Sequence, residues 1–459
     1  MEKINILHTN DLHSHLENWP KIRRFLLSRK QAETTDGPII TVDLGDFVDR
    51  WHPLTEATNG QANVQLMNQI HYDAATIGNN EGVGNSKAEL NHLYDEANFD
   101  VLLDNLFDKN TLQPPEWAQP SKIMTTEKGT KIGLIAFTAP FPLTYNPNGW
   151  DIRQETDILP RLVADMRPKV DVLILLSHLG ISVDRRIAVE FPQIDLILGS
   201  HTHHLFEKGE KIGNVQLAAA GKFGQYVGEV DLYLDDDHKI VKTKADTFAT
   251  ADMLALPEDE EEIAGYFAEG HQLLAEKTVA KIPFEMTQKP FGDHPMIKYA
   301  LKAVEESANT EAAILNTGLF LADLPKGVVN QDQLHEALPH PMHLIKVTFS
   351  GSDLIRLIFE MEKNRHFLIQ FPVMGMGFRG KVFGHLVYDG IEYDAVNHQV
   401  RYLGELVDPA GTYSIVTVDH FMFVPFFPTI EIAGDYQFLF PAFIRTVLGD
   451  YLHRYYPIQ

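Results

Sequence analysis

A chain of 459 residues is too long for one ordinary hydrophobic core, so two domains are expected. Its 44% apolar and 22% charged residues are typical of a globular protein rather than a disordered or fibrous one. With 39 basic against 63 acidic residues the net charge is −24, which excludes an electrostatic grip on nucleic acid or on an anionic membrane surface. An anionic substrate must then be attracted locally, by bound cations or an arginine cluster.

The segment Met1-Glu-Lys-Ile-Asn-Ile-Leu-His8 lacks the basic, apolar and small-residue parts of a secretory signal. No stretch approaches the ~18 apolar residues that span a bilayer. A cytoplasmic location with no membrane partner is the expectation. Residues 4–7 read as a strand followed by Thr9-Asn-Asp11-Leu-His13, and 39–42 as a strand followed by Asp43-Leu-Gly45-Asp46. Helical periodicity over 63–70 leads to a strand at 74–77 and a turn, Gly78-Asn79-Asn80-Glu81-Gly82. A helix over 86–95 precedes strands at 101–103, 131–137 and 172–176, the last ending in Ser177-His178. The run Asp195-Leu-Ile-Leu-Gly-Ser-His201-Thr-His203-His204 is a short apolar strand with imidazoles at its carboxyl end, where open α/β sheets bind ligands. Strands alternating with helices predict an α/β domain with helices on the faces of its sheet.

Near Pro257 the composition changes. Pro257-Glu-Asp-Glu-Glu-Glu262 places acids in the first turn of a helix, where they suit its dipole and are expected to be solvated. Ile263, Tyr266, Phe267 and Leu274 share one face. The reading is a first domain over 1–255, a linking helix and segment over 256–289, and a second domain over 290–459. That second domain shows a helix over 296–307, a strand at 312–315, a loop at Asn316-Thr-Gly318 and a helix over 331–337. A strand over 344–349 then meets a helix over 353–362 that Ser350 caps. The remainder is rich in strands and aromatics.

Seven residues follow the apolar strands: Asp11, His13, Asp46, Asn79, His178, His201 and His203. There is no cysteine, so thiolate ligands and thiol nucleophiles are excluded. Carboxylate, imidazole and amide oxygen together suit two borderline-to-hard divalent ions, such as Mn2+, Zn2+ or Fe. Asp46 is the natural bridge, having two oxygens to share. Two such ions about 3.5–4 Å apart clamp a phosphoryl oxygen and lower the pKa of a bound water to about 7.

Thr9-Asn-Asp-Leu-His13, Gly45-Asp46, Gly78-Asn79, Ser177-His178 and Gly199-Ser-His201-Thr-His203 resemble the motifs of calcineurin-like metallophosphoesterases, in the two-domain 5′-nucleotidase and UDP-sugar hydrolase variant. The resemblance implies a four-layer α/β sandwich followed by a C-terminal α+β substrate-binding domain. It assigns one metal to Asp11, His13, Asp46 and His203, and the other to Asp46, Asn79, His178 and His201. It also implies metal-activated hydroxide attacking phosphorus in a nucleotide or nucleotide-like small molecule. More weakly, it extends through Ile314-Leu-Asn-Thr-Gly318, Ser350-Gly351 and Gly434-Asp435.

The chain departs from the family in two places. The family turn Gly-Asn-His-Glu, with an Asp two residues later, becomes Gly78-Asn79-Asn80-Glu81-Gly82-Val83, so the proton-delivering His is Asn80 and its orienting Asp is Val83. Asn80 is the candidate catalytic residue, able to donate a hydrogen bond but not to transfer a proton, a loss typically worth about 10²–10⁴ in rate. His204, His52 and Lys222 are unranked alternatives for the proton. In the second domain Asn-Gly-Gly-Ile-Arg becomes Asn316-Thr-Gly-Leu-Phe-Leu321, which leaves Arg365 and Arg379 as candidate phosphate ligands. Phe378, Phe438, Phe371 and Tyr436 are candidates to stack a base. The expected activity is dinuclear-metal hydrolysis of a phosphoester. The rivals are a pyrophosphate or cyclic-phosphodiester hydrolase, for which the missing acid is no handicap, and a nucleotide sensor without turnover. The sequence carries nothing on oligomeric state.

Overall fold

Period-two alternation along the strands sets the layers of the first half. In strand Glu2–Thr9, Ile4 and Ile6 enter one core and Leu7 another. In strand Lys131–Thr138, Leu134 and Ala136 join the first of these cores while Ile135 and Phe137 enter a third. The computed structural model describes every residue except 32–36, 374, 376 and 459, and divides the chain into two compact units, Met1–Gly270 and His271–Gln459.

The first unit holds two six-stranded sheets. One runs Ile240–Ala249, Tyr226–Leu234, Glu2–Thr9, Ile39–Asp43, Ala74–Ala75, Asp100–Val101, and is parallel from Glu2–Thr9 onward. The other runs Glu210–Ile212, Val215–Ala218, Leu196–Gly199, Val172–His178, Lys131–Thr138, Lys122–Thr125, with its four central strands parallel. The sheets bury Ile6, Val42, Leu176 and Leu198 against each other. Helices Trp19–Gln31 and Gln61–Asn68 cover the outer face of the first sheet. Helices Glu155–Met166 and Ile181–Glu190 cover that of the second. The order is therefore helix, sheet, sheet, helix, the four layers that the resemblance implies.

Two expectations need correction. Residues 79–83 do not form a turn: Asn79–Val83 is a short helix capped at Gly78, with Glu81 closing its first turn. The acidic start of helix Glu258–Ala275 is also less solvated than its charge suggests. Asp259 and Glu262 pair with Arg24 (2.5 Å) and Arg23 (2.6 Å) of helix Trp19–Gln31, which docks the start of the helix on the first unit. Among the described residues no helix is long and apolar enough to cross a membrane.

The second unit is built on a five-stranded sheet in the order Leu386–Asp389, Ala313–Asn316, Thr412–Val418, His343–Ser350, Asp435–Phe443. Helices Met296–Ala308, Gly351–Leu368 and Ile444–Tyr455 contribute Ala300, Leu354 and Leu448 to its core. Ser350 Oγ accepts the Asp353 N–H at 3.2 Å, the expected cap, and the helix runs six residues past its expected end.

Two histidines are sealed into this core. His420 lies among Phe378, Phe383 and Phe421 with neither ring nitrogen hydrogen-bonded, and burial pushes it down to about 3. Burial also holds His340 at about 3. Below pH 6.5 an unfolded chain takes up protons that the folded unit refuses, so stability is lost progressively as pH falls from 6.5 toward 3. Between pH 7 and pH 5 the thermal midpoint of EDTA-treated His420→Phe should gain on that of the parent, so that the two slopes against pH differ by the missing histidine. Equal slopes in circular dichroism melts of the two proteins would contradict this account.

Candidate metal centre

Every one of the seven expected ligands lies at the carboxyl end of a parallel strand or in the loop that follows it. Those loops turn sharply. Asp11, His13, Asp46, His201 and His203 all have φ between 50° and 72°. For residues with a Cβ this left-handed backbone costs of order 1–3 kcal/mol each and persists only where the surroundings impose it. Here the loops impose it on one another. Asp11 N–H donates to the Gly45 carbonyl (3.0 Å), His13 N–H to that of Asp46 (2.7 Å), and His201 N–H to the Asp11 carboxylate (3.1 Å). Gly45, at φ 86°, is packed so closely that a Cβ would lie 2.2 Å from the Gly78 nitrogen.

The side chains gather into two groups. Asp11, His13 and His203 bring their ligand atoms within 4.8 Å of one another, as do Asp46, His178 and His201. In the first, His13 Nε2 faces His203 Nε2 at 3.1 Å, with Asp11 Oδ1 3.8 Å from the one and 3.6 Å from the other. Asp46 Oδ2 stands between the groups, 3.5 Å from His13 Nε2 and 3.4 Å from His178 Nε2. His178 Nδ1 donates to the Leu44 carbonyl (2.7 Å), which directs its Nε2 lone pair inward. That Nε2 and Asn79 Oδ1 are buried without hydrogen-bond partners. Such orphans are costly unless something electropositive sits against them.

The electrostatics agree. Burial pushes Asp11 up to about 6 and Glu81 up to about 7. Burial also opposes the charged form of Asp46, but His178 beside it outweighs this and holds the carboxyl well below its usual range. Burial lowers His201 and His203 to about 4, so both offer neutral imidazole at pH 7. The buried acids and the neutral His201 and His203 suit a divalent cation; against the same burial, Asp46 pushes His178 up to about 10 and Asp49 raises His13, and a cation would displace the protons these two rings hold. His203, at 32% exposure beside half-buried Phe223, marks the open side, and exposed Phe141 lies against His201.

Asn80 is in the site, on the helix that starts at Asn79; its N–H donates to Asp46 Oδ1 (2.8 Å) and its amide turns toward His13. Of the three other proton candidates, His52 is buried as the cap of helix Pro53–Ala57 and His204 is exposed beside Thr202. Lys222 extends over Phe223, whose ring neighbours His13 and His203. The second-unit candidates are less available. Arg365 is clasped by Glu362 through Nε (2.8 Å) and Nη2 (2.5 Å), and gives Nη1 to the Leu386 carbonyl. Arg379 gives Nη1 to the Phe378 carbonyl, and its N–H goes to His340 Nδ1. Phe378 and Phe438 are each 4% exposed, Phe378 stacked on His340. Phe371 is the more open aromatic, edge-on to Phe426. A third acid–imidazole group, His271 with Asp332 and Glu336, lies in the second unit, but its members are partly or fully exposed.

Two residues of the centre carry no signal that follows a strand. Glu81 binds no ligand loop by itself but ties two together: Oε2 accepts from the Asp46 N–H (2.9 Å) and the Gly78 N–H (2.8 Å), and Oε1 from the Val48 N–H (2.9 Å). Its place three residues after Gly78, where a first-turn Glu can reach back to the N-cap N–H, is the clue the sequence offers. Asp49, three residues beyond Asp46, reaches the back of His13 at 3.3 Å.

The calcineurin-like phosphoesterase family matches residues 4–205, and the 5′-nucleotidase C-terminal domain matches 274–423. A Bacillus subtilis (strain 168) protein described as the uncharacterized metallophosphoesterase YunD is 35% identical over 98% of both chains. Among solved structures, a putative 5′-nucleotidase from Staphylococcus aureus superposes with a TM-score of 0.67 at 18% identity, covering 100% of this chain and 98% of that one. The NAD nucleotidase NadN of Haemophilus influenzae gives 0.65 at 17%, covering 99% and 96%. Calcineurin-like phosphoesterases use divalent metals, and the two groups are where this chain would hold them. The chain belongs to the calcineurin-like metallophosphoesterases that carry a 5′-nucleotidase C-terminal domain, a family of metal-dependent phosphoester hydrolases.

Proposed function

We propose that the protein hydrolyses a small nucleotide or nucleotide-like phosphate compound at a dinuclear centre formed by Asp11, His13, Asp46, Asn79, His178, His201 and His203. The observation that carries this reading is the position of Asp46 Oδ2, within 3.5 Å of an imidazole nitrogen from each group. Two divalent cations, when bound, would lend Lewis acidity to the phosphoryl oxygens and to the attacking water. The chain's own part is to fix those donors before substrate arrives, through the strained loops and the Glu81 clamp. Water then displaces the leaving group in line, forming one P–O bond as the other breaks. With its net charge of −24, the protein has little general attraction for a phosphate anion. That attraction belongs to the centre itself, with Lys222 at its edge.

A role in nucleotide turnover in the cytoplasm is part of the proposal; the matches to nucleotide-processing relatives support the turnover. In NadN and the 5′-nucleotidases the names denote nucleotide substrates; here the base would be held by the second unit, with Phe371 better exposed for stacking than Phe378 or Phe438. The test is metal analysis of the purified protein beside a panel of nucleoside monophosphates, UDP-sugars, 2′,3′-cyclic nucleotides and bis-nitrophenyl phosphate. Tight nucleotide binding without phosphate release in manganese would instead mark a sensor.

Position 80 makes a sharper check. Asn80 and Val83 stand three residues apart on helix Asn79–Val83 and so share a face. Restoring the family pair as Asn80→His/Val83→Asp should raise phosphate release from a nucleoside monophosphate by about 100-fold, the lower end of what general acid help supplies. No gain would mean that the proton already comes from elsewhere.

A further inference from the structure

The loss of the proton-delivering histidine leaves a question of what Asn80 now does, and its contacts point away from the substrate. Asn80 Nδ2 lies 2.7 Å from His13 Nδ1, and both nitrogens lie 3.3 Å from Asp49 Oδ2. Asp49 Oδ2 is therefore the common acceptor behind the ring, for the His13 Nδ1 proton and for an Asn80 amide proton, and Asn80 abuts the ring without a hydrogen bond to it. Asp49 is 4% exposed and held in place at both ends: its N–H donates to Ser14 Oγ (2.8 Å), and its Oδ1 accepts the Trp51 N–H (3.3 Å). The Trp51 indole N–H in turn donates to the His13 carbonyl (2.8 Å), so one short segment grips both the backbone and the ring of His13.

The front of that ring, Nε2, is the edge that meets His203, Asp46 and Asp11. A carboxylate that takes the Nδ1 proton leaves the Nε2 lone pair pointing forward and stops the ring from rotating. We propose that Asp49, with Asn80 beside it, is a positioning pair for His13, and that position 80 serves the outer shell of the centre instead of the leaving group. This rests on the reading of Asp11, His13 and His203 as a metal group. It also deepens that reading. With the Asn80 amide turned onto His13, no proton reaches the leaving group from this position, so the favoured substrates are those whose leaving group departs as a stable anion, a phosphoanhydride or an aryl ester, over an alkyl monoester.

Calorimetric titration of the full-length, metal-stripped protein with Mn2+ tests the pair. Asp49→Asn keeps the size of the side chain and its contact with Trp51 but weakens the acceptor. It should lower Mn2+ affinity at one of two sites by about 10–100-fold, the usual effect of losing such a partner, with an unchanged melting temperature in EDTA. Asn80→Ala, at a half-buried helix position that tolerates alanine, should lower affinity at the same site by a smaller factor. It should also leave unchanged the dependence of kcat/KM on leaving-group pKa across a series of aryl phosphates. Parent-like Mn2+ binding by Asp49→Asn overturns the proposal, as does a change of that dependence in Asn80→Ala, which would place the amide on the substrate. A parent protein that binds no Mn2+ sinks the metal centre itself, a separate failure.

Discussion

Asp46→Ala should leave a protein that binds no manganese in stoichiometric amount at either group and releases phosphate at about a thousandth of the parent rate. The size follows from what is lost. Asp46 Oδ2 is the one carboxylate oxygen within 3.5 Å of imidazoles from both groups, and Asp46 Oδ1 accepts the Asn80 N–H that orients the start of helix Asn79–Val83. Lewis-acid stabilisation of a transferring phosphoryl group is worth several kcal/mol, and about 4 kcal/mol corresponds to about 10³ in rate. Metal content by mass spectrometry and phosphate release in excess Mn2+ measure the two halves. The metal-free melting temperature separates loss of ligand from loss of fold. Full retention of one Mn2+ per chain would show that the groups are independent and that Asp46 does not bridge.

The candidate ligands of the centre were legible because each sits where a continuous apolar run stops. Val172–His178 and Leu196–Gly199 are buried along their whole length, so Ser177-His178 at the end of the first and Ser200-His201 just past the second stand out as the first polar residues of each run. What was not legible works across the chain. Glu81 bonds to backbone N–H groups 33 and 35 residues away, and Asp49 to a ring 36 residues away, with nothing in their neighbours to announce it. The hairpin Tyr226–Leu234 with Ile240–Ala249 is hard to read in sequence because charged residues alternate with its core positions, although Val230, Leu232 and Leu234 fill the core between the sheets. In the second unit the residue types themselves mislead. A phenylalanine that stacks a base and one that fills a core read alike, and burial of Phe378 and Phe438 is a tertiary outcome. Arg365 likewise reads as a phosphate ligand until Glu362, one helical turn earlier, is seen to hold it.

Gly78→Ala should be nearly as damaging as loss of Asp46, and for a purely steric reason. Gly78 has an ordinary φ of −95°, so alanine is no strain on the backbone. The added Cβ, however, would lie 2.0 Å from Asp46 Oδ1 and 2.5 Å from His178 Cε1, where real contacts do not fall below about 3 Å. Both neighbours are ligands of the same group, and both are pinned. Asp46 Oδ1 is held by the Asn80 N–H (2.8 Å) and His178 by its bond to the Leu44 carbonyl, so the clash cannot be relieved by rotating a free side chain. The site must open instead. Overpacking of this kind typically costs 1–3 kcal/mol of stability, and displacement of two ligands should lower Mn2+ affinity at the His178 group by about 100-fold or more. Gly265→Ala is the matched control, since a Cβ there meets nothing within 4 Å inside helix Glu258–Ala275. It should gain about 0.5–1 kcal/mol from helix propensity and leave metal binding untouched. Calorimetric Mn2+ titrations and thermal melts of both variants decide the matter: if Gly78→Ala loads metal like the control, the two groups are not packed as tightly as a shared centre requires.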